Sequence, residues 1–443
     1  MLNPPFTPFG INVKDFGATG NGTTDDSTAI QNAINAINSN RGGRVLFPQG
    51  IYRIATGLTC AVQGLELIGE GLPGVSAAQA NGSTRILSDD TITALTLNNG
   101  GAPSHQVLGY KIRNLHFRAA AASTTGSGIV IQNCENFILE DVTCSDYIGG
   151  TGLLIDGKSG NAQYGNLHNY SAGDCLTGLK LQGTAPNGLR MFGGFFMGQG
   201  TQPRASSIGI SVTSGDTLRL YGTVIQGYET GAYMNSAGKG SEMHGPRFEY
   251  CNTNLRIGAN SGNFSLLGGS FVNTALTGGG TNVGIQVDAG ATDTILRPNL
   301  LAGHTTPFSD AGTRTRFIDT TATVSNILGG DVAMTTNGTF YDGPSITLGI
   351  GTWLITGAIS LGAGSSAIRQ WSAKLWDGTT VYSQAVHEVT GTGAAGQATL
   401  PMSTIVTLAA SATIKISATS TVNADTVKGT SFKGSFLYAV RIG

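Results

Sequence analysis

Leu189-Arg190-Met191-Phe192-Gly193 is answered by Leu218-Arg219-Leu220-Tyr221-Gly222, then by Ser241-Glu242-Met243-His244-Gly245, then by Phe264-Ser265-Leu266-Leu267-Gly268. After one further residue, each copy is followed by a second short piece with an apolar side chain: Phe195-Phe196, Val224-Ile225, Arg247-Phe248, Ser270-Phe271. Gly222 to Gly245 is 23 residues, and Gly245 to Gly268 is again 23. A fixed period of this size, built from short alternating strands and glycine turns, indicates a solenoid. Strands this short, with no helical pattern between them, predict a right-handed parallel β-helix with one coil per period.

The repeat predicts which side chains become neighbours, because stacked coils set equivalent positions one above another, about 4.8 Å apart. Met191, Leu220, Met243 and Leu266 form an apolar column that must point inward, and alternation turns the residues on either side outward. One outward column then reads Arg190, Arg219, Glu242, Ser265, and the preceding Leu167-His168-Asn169-Tyr170 places His168 at its head. The other reads Tyr170, Phe192, Tyr221, His244, Leu267. A basic, acidic and aromatic surface is gathered on one wall from residues far apart in sequence.

That wall is the sharpest candidate for chemistry. Arg247 and Glu249 flank inward-facing Phe248, so both are expected outside. A guanidinium beside carboxylates offers a bidentate fork for a sugar carboxylate, and exposed aromatic rings can stack on sugars. Glu242 and Glu249 lie seven residues apart around one corner, the kind of pair a glycosidase uses as acid and as base or nucleophile. An elimination would use the same wall differently. His168, His244 or Tyr221 would take the proton, and Arg190, Arg219 or Arg247 would neutralise the uronate. The bland alternative is a solvated ladder of surface charges. Other acids read as structural. Glu140 and Asp141 should face opposite ways, Asp146 and Asp174 sit at turns, Asp216 precedes a strand, and Asp25 and Asp26 suit a helix cap. His304 has no acid near it in sequence.

The chain has 443 residues, enough for two or three domains and a large core. A formal net charge of −1 with only 12% charged residues argues against a nucleic-acid partner. Glycine is abundant (67) and proline scarce (13), without a G-X-Y period, which suits an all-β protein of many tight turns. Cys60, Cys134, Cys144, Cys175 and Cys251 fit no metal or redox spacing and read as small buried apolar groups. No apolar run approaches the length of a membrane span. The first ten residues lack the basic start and apolar core of a signal peptide, an expectation against a leader in that stretch.

Along the chain, residues 13–18 read as a strand into a glycine turn. Thr24, Asp25 and Asp26 supply N-cap chemistry for a helix with Ile30, Ala33, Ile34 and Ile37 on one face. Such a helix can cover the open end of a β-helix, which would otherwise expose unpaired strands. A recurring strand opens with glycine at Gly128, Gly152, Gly178, Gly209 and Gly284. Segments 73–83 and 199–207 read as loops that wall a groove or meet a neighbouring subunit. Beyond about residue 310 the strands lengthen, with Asp377-Gly378 as a hairpin turn, which predicts an antiparallel β-sandwich. The expected organisation is 1–55 cap and first strands, 56–312 β-helix, 313–330 connector and 331–443 sandwich.

The run VKDFGATGNGTTDDSTAIQNAINAI (13–37) followed by GGRVLFPQGIYRI (42–54) resembles the opening of the pectate-lyase-like superfamily that includes phage tailspikes. GTWLITG (351–357), KLWDGTTVY (374–382) and SFLYAVRI (435–442) resemble the C-terminal jelly-roll modules of tail fibres and tailspikes. The first resemblance implies a right-handed parallel β-helix acting on acidic or complex polysaccharide. The second implies a homotrimer, and a glycan-binding role for some such modules. Together they imply a phage or prophage depolymerase of bacterial capsule or O-antigen, on a virion tail or extracellular. It would cut by hydrolysis or, second, by elimination at Glu242 and Glu249, with His168, Arg190, Arg219, Tyr221, His244 and Arg247 binding substrate. A non-catalytic receptor-binding spike and a bacterial lyase or epimerase are the alternatives. The Asn-x-Asp, Asp-Asp, Gly-His-Gly and Arg-x-Lys set of polygalacturonases is missing, as is an acidic Ca²⁺ cluster. Pectin is therefore not the expected substrate, and no metal or cofactor is expected.

Overall fold

The computed structural model describes residues 10–37, 42–74, 83–98, 107–120, 125–157, 162–183, 186–199, 202–215, 217–236, 240–273, 282–317, 323–389, 396–429 and 434–441. The chain forms two compact units, Met1–Arg316 and Phe317–Gly443.

The first unit is a right-handed parallel β-helix. Each coil presents three faces. In one coil, Leu218–Tyr221 lies on the first, Val224–Gln226 on the second and Tyr228–Met234 on the third. Strand pairing fixes an unbroken inward column on the first face: Val45, Leu67, Ile112, Leu139, Leu167, Met191, Leu220, Met243, Leu266, Leu296. All ten are buried. The second face contributes a parallel column in which Phe196, Ile225, Phe248 and Phe271 stack in register. The predicted inward column thus extends over many coils beyond the four phrases that define it.

The recurring strand with an initial glycine is the third face, and Gly178 shows why glycine is used there. A Cβ at that position would sit 2.6 Å from the Gly209 carbonyl oxygen and 2.5 Å from Phe196 Cδ1. The coil can close onto the aromatic column of the second face only where the side chain is absent.

The helix Ser27–Asn35 buries Ile30, Ala33 and Ile34. Its Gln31 amide donates to the Thr59 carbonyl and accepts from the Thr59 amide, both at 2.9 Å. Leu58–Cys60 is the terminal strand of the third face, so one side chain satisfies backbone groups that a sheet edge would leave open. Capping differs from expectation in detail. Asp26 makes no side-chain cap bond. Its carboxylate instead holds the preceding turn through the Thr19 and Gly20 amides. Asp25 accepts from the Ser27 amide at 3.0 Å. All five cysteines are free and buried, and burial raises each thiol's pKa.

The second unit is an antiparallel sandwich. One sheet holds Thr323–Ile327, Phe436–Arg441, Gly351–Gly362, Asp425–Val427 and Val332–Met334, with Gln397–Leu408 paired to Gly351–Gly362. The other runs Tyr341–Leu348, Ala412–Ser420, Arg369–Trp376, Val381–Val389. Trp353, Ile355, Trp371, Leu375, Ile414 and Ile416 lie in the core between them. The Arg369–Asp425 ion pair is buried. Asp425 also accepts from Trp371 Nε1 at 2.8 Å, Ser420 Oγ at 2.6 Å and the Gly364 amide at 3.0 Å, so its lone pairs are used. Asp377 nucleates the predicted hairpin, accepting from the Thr379 and Thr380 amides, with Gly378 at φ 101°.

Candidate functional site: a charged and aromatic wall on the β-helix

On the first face the residue before each inward one forms an outward column: Arg44, Glu66, Lys111, Ile138, Asn166, Arg190, Arg219, Glu242, Ser265, Ile295. The residue after it forms a second: Leu46, Ile68, Arg113, Glu140, His168, Phe192, Tyr221, His244, Leu267, Arg297. Two expectations are corrected here. His168 pairs with Phe192, not Arg190, so it heads the aromatic column, and Asn166 takes the place ahead of Arg190. Tyr170 is not on the wall at all. It is fully buried, with its hydroxyl donating to the Gly178 carbonyl at 3.0 Å. Leu167 pairs with Met191, so Asn169 (φ 53°) stands at the corner that Gly193 (φ 67°) occupies one coil on, and its left-handed backbone ends strand alternation before Tyr170. The same break explains Glu140 and Asp141. Asp141 is also left-handed, and both side chains face outward: Glu140 toward Lys111 at 3.3 Å, and Asp141 accepting from Asn169 Nδ2 at 2.7 Å.

The N-terminal part of the wall is clamped by charge. Glu66 accepts from Arg44 at 2.7 Å and from Arg113 Nε at 2.9 Å. Burial works to raise its carboxyl, and the two guanidiniums outweigh it and hold it below its usual range. The centre is a stack of four rings. Centroid separations are 5.1 Å for His168–Phe192, 5.1 Å for Phe192–Tyr221 and 4.8 Å for Tyr221–His244, with interplanar angles of 12°, 7° and 21°. These spacings are those of the coils themselves. The rings therefore cover one another's faces and present edges outward, among them the Tyr221 hydroxyl. Sugar stacking on a ring face is confined to the two ends of the ladder.

Beside the rings, Glu242 lies 3.0 Å from His244 Nε2 and 3.6 Å from Arg219 Nε. Exposed Arg190 has no ion pair among the described residues. Around the corner, Arg247 Nε donates to Glu249 Oε1 at 2.9 Å, and the Arg247 side chain is 59% exposed against 17% for Glu249. The predicted residues therefore fall into two groups. His168, Arg190, Arg219, Tyr221, Glu242 and His244 share the first face. Arg247 and Glu249 form their own ion pair on the second.

A second polar cluster lies at the turn from the second to the third face, around Asp146 and Asp174. Buried His116 contacts Ser145 Oγ through Nε2 at 2.9 Å. Ser145 Oγ donates to Asp146 Oδ2 at 3.3 Å, and the same carboxylate pairs with Arg118. Burial, with the Arg85 and Arg118 charges, pushes His116 down to about 3. Asp174 occupies the position equivalent to Asp146 one coil on, since Ser145 pairs with Gly173. Burial, then the Asp146 charge, raises its carboxyl, and Arg204 opposes the shift. Both aspartates are left-handed turn residues, φ 66° and 49°, as their sequence position suggested. Their 28-residue separation, one coil, is the signal that sets them side by side.

Asp216 and most of the 73–83 segment lie outside the described residues. From the 199–207 segment, Ser206 and Ser207 line a groove of about 550 Å³ with Glu229, Thr253 and Arg256. His304 accepts from Asn254 Nδ2 at 2.9 Å. Among the described residues no group of three or more His, Cys, Asp or Glu is placed to hold a metal ion, and no helix is long and apolar enough to cross a membrane.

Residues 10–253 match the family model described as rhamnogalacturonase A/epimerase, pectate lyase-like. Alginate lyase 7 of Azotobacter vinelandii is 34% identical over 117 residues, 26% of this chain and 13% of the lyase. Mannuronan C5-epimerase AlgE3 of the same organism is 54% identical over 47 residues, 11% of this chain and 3% of the epimerase. The chain thus matches only a small part of these relatives' length. Among solved structures, the Geobacillus virus E2 protein ORF18 aligns with a TM-score of 0.45 at 17% identity, over 91% of this chain and 78% of that one.

Proposed function

The chain belongs to the pectate lyase-like rhamnogalacturonase A/epimerase family, and from that premise we propose that it is a tailspike-type depolymerase that binds and cleaves an acidic bacterial surface polysaccharide. The observation that carries this reading is the outward wall, where Arg190 and Arg219 run beside the ring ladder over successive coils. Guanidiniums at the coil spacing offer bidentate forks to a carboxylate-bearing chain laid along the helix axis. Ring edges bearing His168, Tyr221 and His244 offer hydrogen bonds to sugar hydroxyls, and Arg247 extends the basic surface around the corner. In this reading Glu242 and Glu249 carry the acid–base work of hydrolysis, with elimination as the second chemistry. Three copies associate through the sandwich, whose outer face exposes Ile327, Leu354, Ile405, Phe436 and Tyr438, an apolar patch suited to an interface. A virion tail or the cell exterior is where such a polymer is met.

The ion pairs that engage both glutamates favour a second reading, a spike that holds glycan without cutting it. Incubation with purified capsular and O-antigen polysaccharides, read by product size, separates the two. Shortened product establishes the depolymerase. Glu242→Gln and Glu249→Gln are then expected to lower turnover by on the order of 100-fold or more without changing the melting transition. Full activity in both variants removes the glutamates from catalysis.

A further inference from the structure

We propose that a second site lies at the turn between the second and third faces, where Asp146 and Asp174 on successive coils form an acid–base pair and the buried cation Arg85 receives the carboxylate of a uronate sugar. It rests on the chain's acting on polysaccharide, but not on Glu242 and Glu249. Arg85 is only 8% exposed, yet no carboxylate pairs with it among the described residues and its Nε has no partner there. The Asp146 charge reaches this guanidinium without an ion pair forming, and a buried cation so placed is stabilised by a further anion. The register sets it beside His116 on the neighbouring strand. His116 Nε2 lies 2.9 Å from Ser145 Oγ, and its buried Nδ1 has no partner among the described residues. Two buried polar atoms at one place thus lack partners among the described residues, and the Arg85 Nε–H is the donor that suits a carboxylate.

The charges facing the cluster are Arg85, Arg118 and Arg204 against Asp146 and Asp174, with His116 neutral. Arg118 and Asp146 are 26% and 27% exposed, so the cluster opens to solvent on that side. The two aspartates differ in environment: Asp146 is held by Arg118, whereas burial and the Asp146 charge favour a proton on Asp174. The ion-paired carboxylate is placed to act as the base and the more buried one as the acid. In hydrolysis, Asp146 takes a proton from water as the water oxygen bonds to the anomeric carbon. The glycosidic C–O bond breaks, and the leaving oxygen takes the Asp174 proton. Asp146 then carries the proton and Asp174 the charge, and exchange with solvent restores both. His116 and Ser145 are positioning residues for Asp146.

The test uses the full chain, a polymannuronate oligosaccharide and its carboxyl-reduced counterpart, with calorimetric binding and reducing-end release followed against pH. Asp174→Asn and Asp146→Asn are expected to cut release by on the order of 100-fold. The first should remove the alkaline limb of the profile and the second the acidic limb, with circular-dichroism melts unchanged. Arg85→Met is expected to weaken uronate binding about tenfold while leaving the reduced polymer unaffected, and Arg85→Lys, which keeps the charge, guards against a folding defect. Wild-type turnover in both Asn variants, or wild-type uronate binding in Arg85→Met, overturns the site. Arg85-dependent binding without cleavage by the wild type upholds the anion site and refutes the acid–base pair. Binding lost only in Arg190→Ala and Arg219→Ala refutes this site and leaves the wall reading standing. No binding to either probe refutes both.

Discussion

Removing Tyr170 tests whether the coil corners are placed correctly. The ring is fully buried, edge-on to Phe196 with centroids 5.9 Å apart, and its hydroxyl donates to the Gly178 carbonyl. Tyr170→Phe keeps the ring and withdraws one buried hydrogen bond, so the expected loss is about 1–2 kcal/mol. Tyr170→Ala also opens a cavity beside Phe196, and the loss rises to about 3–5 kcal/mol. On the outer wall, where strict alternation would put it, either substitution would stay within about 0.5 kcal/mol of wild type. The assay is urea unfolding of the full chain followed by far-ultraviolet circular dichroism, with the change taken from the midpoint at constant slope. A Tyr170→Ala variant within 0.5 kcal/mol of wild type would refute the burial argument and the left-handed corner at Asn169 with it.

In the sandwich, Asp425→Ala strands the buried Arg369 charge and leaves Trp371 Nε1 without its acceptor. A loss of about 3–5 kcal/mol is expected, read by tryptophan fluorescence because all three tryptophans lie in that unit; a loss below 1 kcal/mol contradicts it. The β-helix should also lose stability in mild acid. Burial pushes His304 down to about 4, and His116 lies at about 3, whereas an unfolded imidazole titrates near 6.5. Below about 6.5 the unfolded chain takes up protons that the folded chain refuses, so the contribution is complete above that pH and falls progressively toward the folded values. The slope is at most about 1.4 kcal/mol per pH unit for each histidine. Unfolding measured from pH 7 to 5 should show a shallower slope in His304→Gln, and an unchanged slope counts against the assignment.

Much of the wall was legible because stacking in register turns a sequence period directly into spatial neighbours. Arg190, Arg219 and Glu242 share a column in the structure as in the aligned phrases, as do Phe192, Tyr221 and His244. The reading failed at corners. Leu167-His168-Asn169-Tyr170 lies two residues out of register with Leu189-Arg190-Met191-Phe192: Leu167 pairs with Met191, so His168 joins the Phe192 column, and the left-handed corner at Asn169 puts Tyr170 in the core. Ring orientation was hidden for a related reason, since only the coil spacing shows that stacked rings present edges. The Asp146–Asp174 neighbourhood was hidden because a turn aspartate satisfying its own loop has the same sequence signature as one whose carboxyl faces a buried cation.

The sequence by itself determined the β-helix, its helical cap, the inward columns and the antiparallel sandwich, because apolar periodicity and glycine placement act locally and repeat. Tertiary structure alone decided which polar groups are buried without partners and which carboxylates meet which guanidiniums. Those outcomes depend on a few corner torsions and on packing between coils, where a rotation at one residue exchanges solvent for core and changes the cost of every charge nearby.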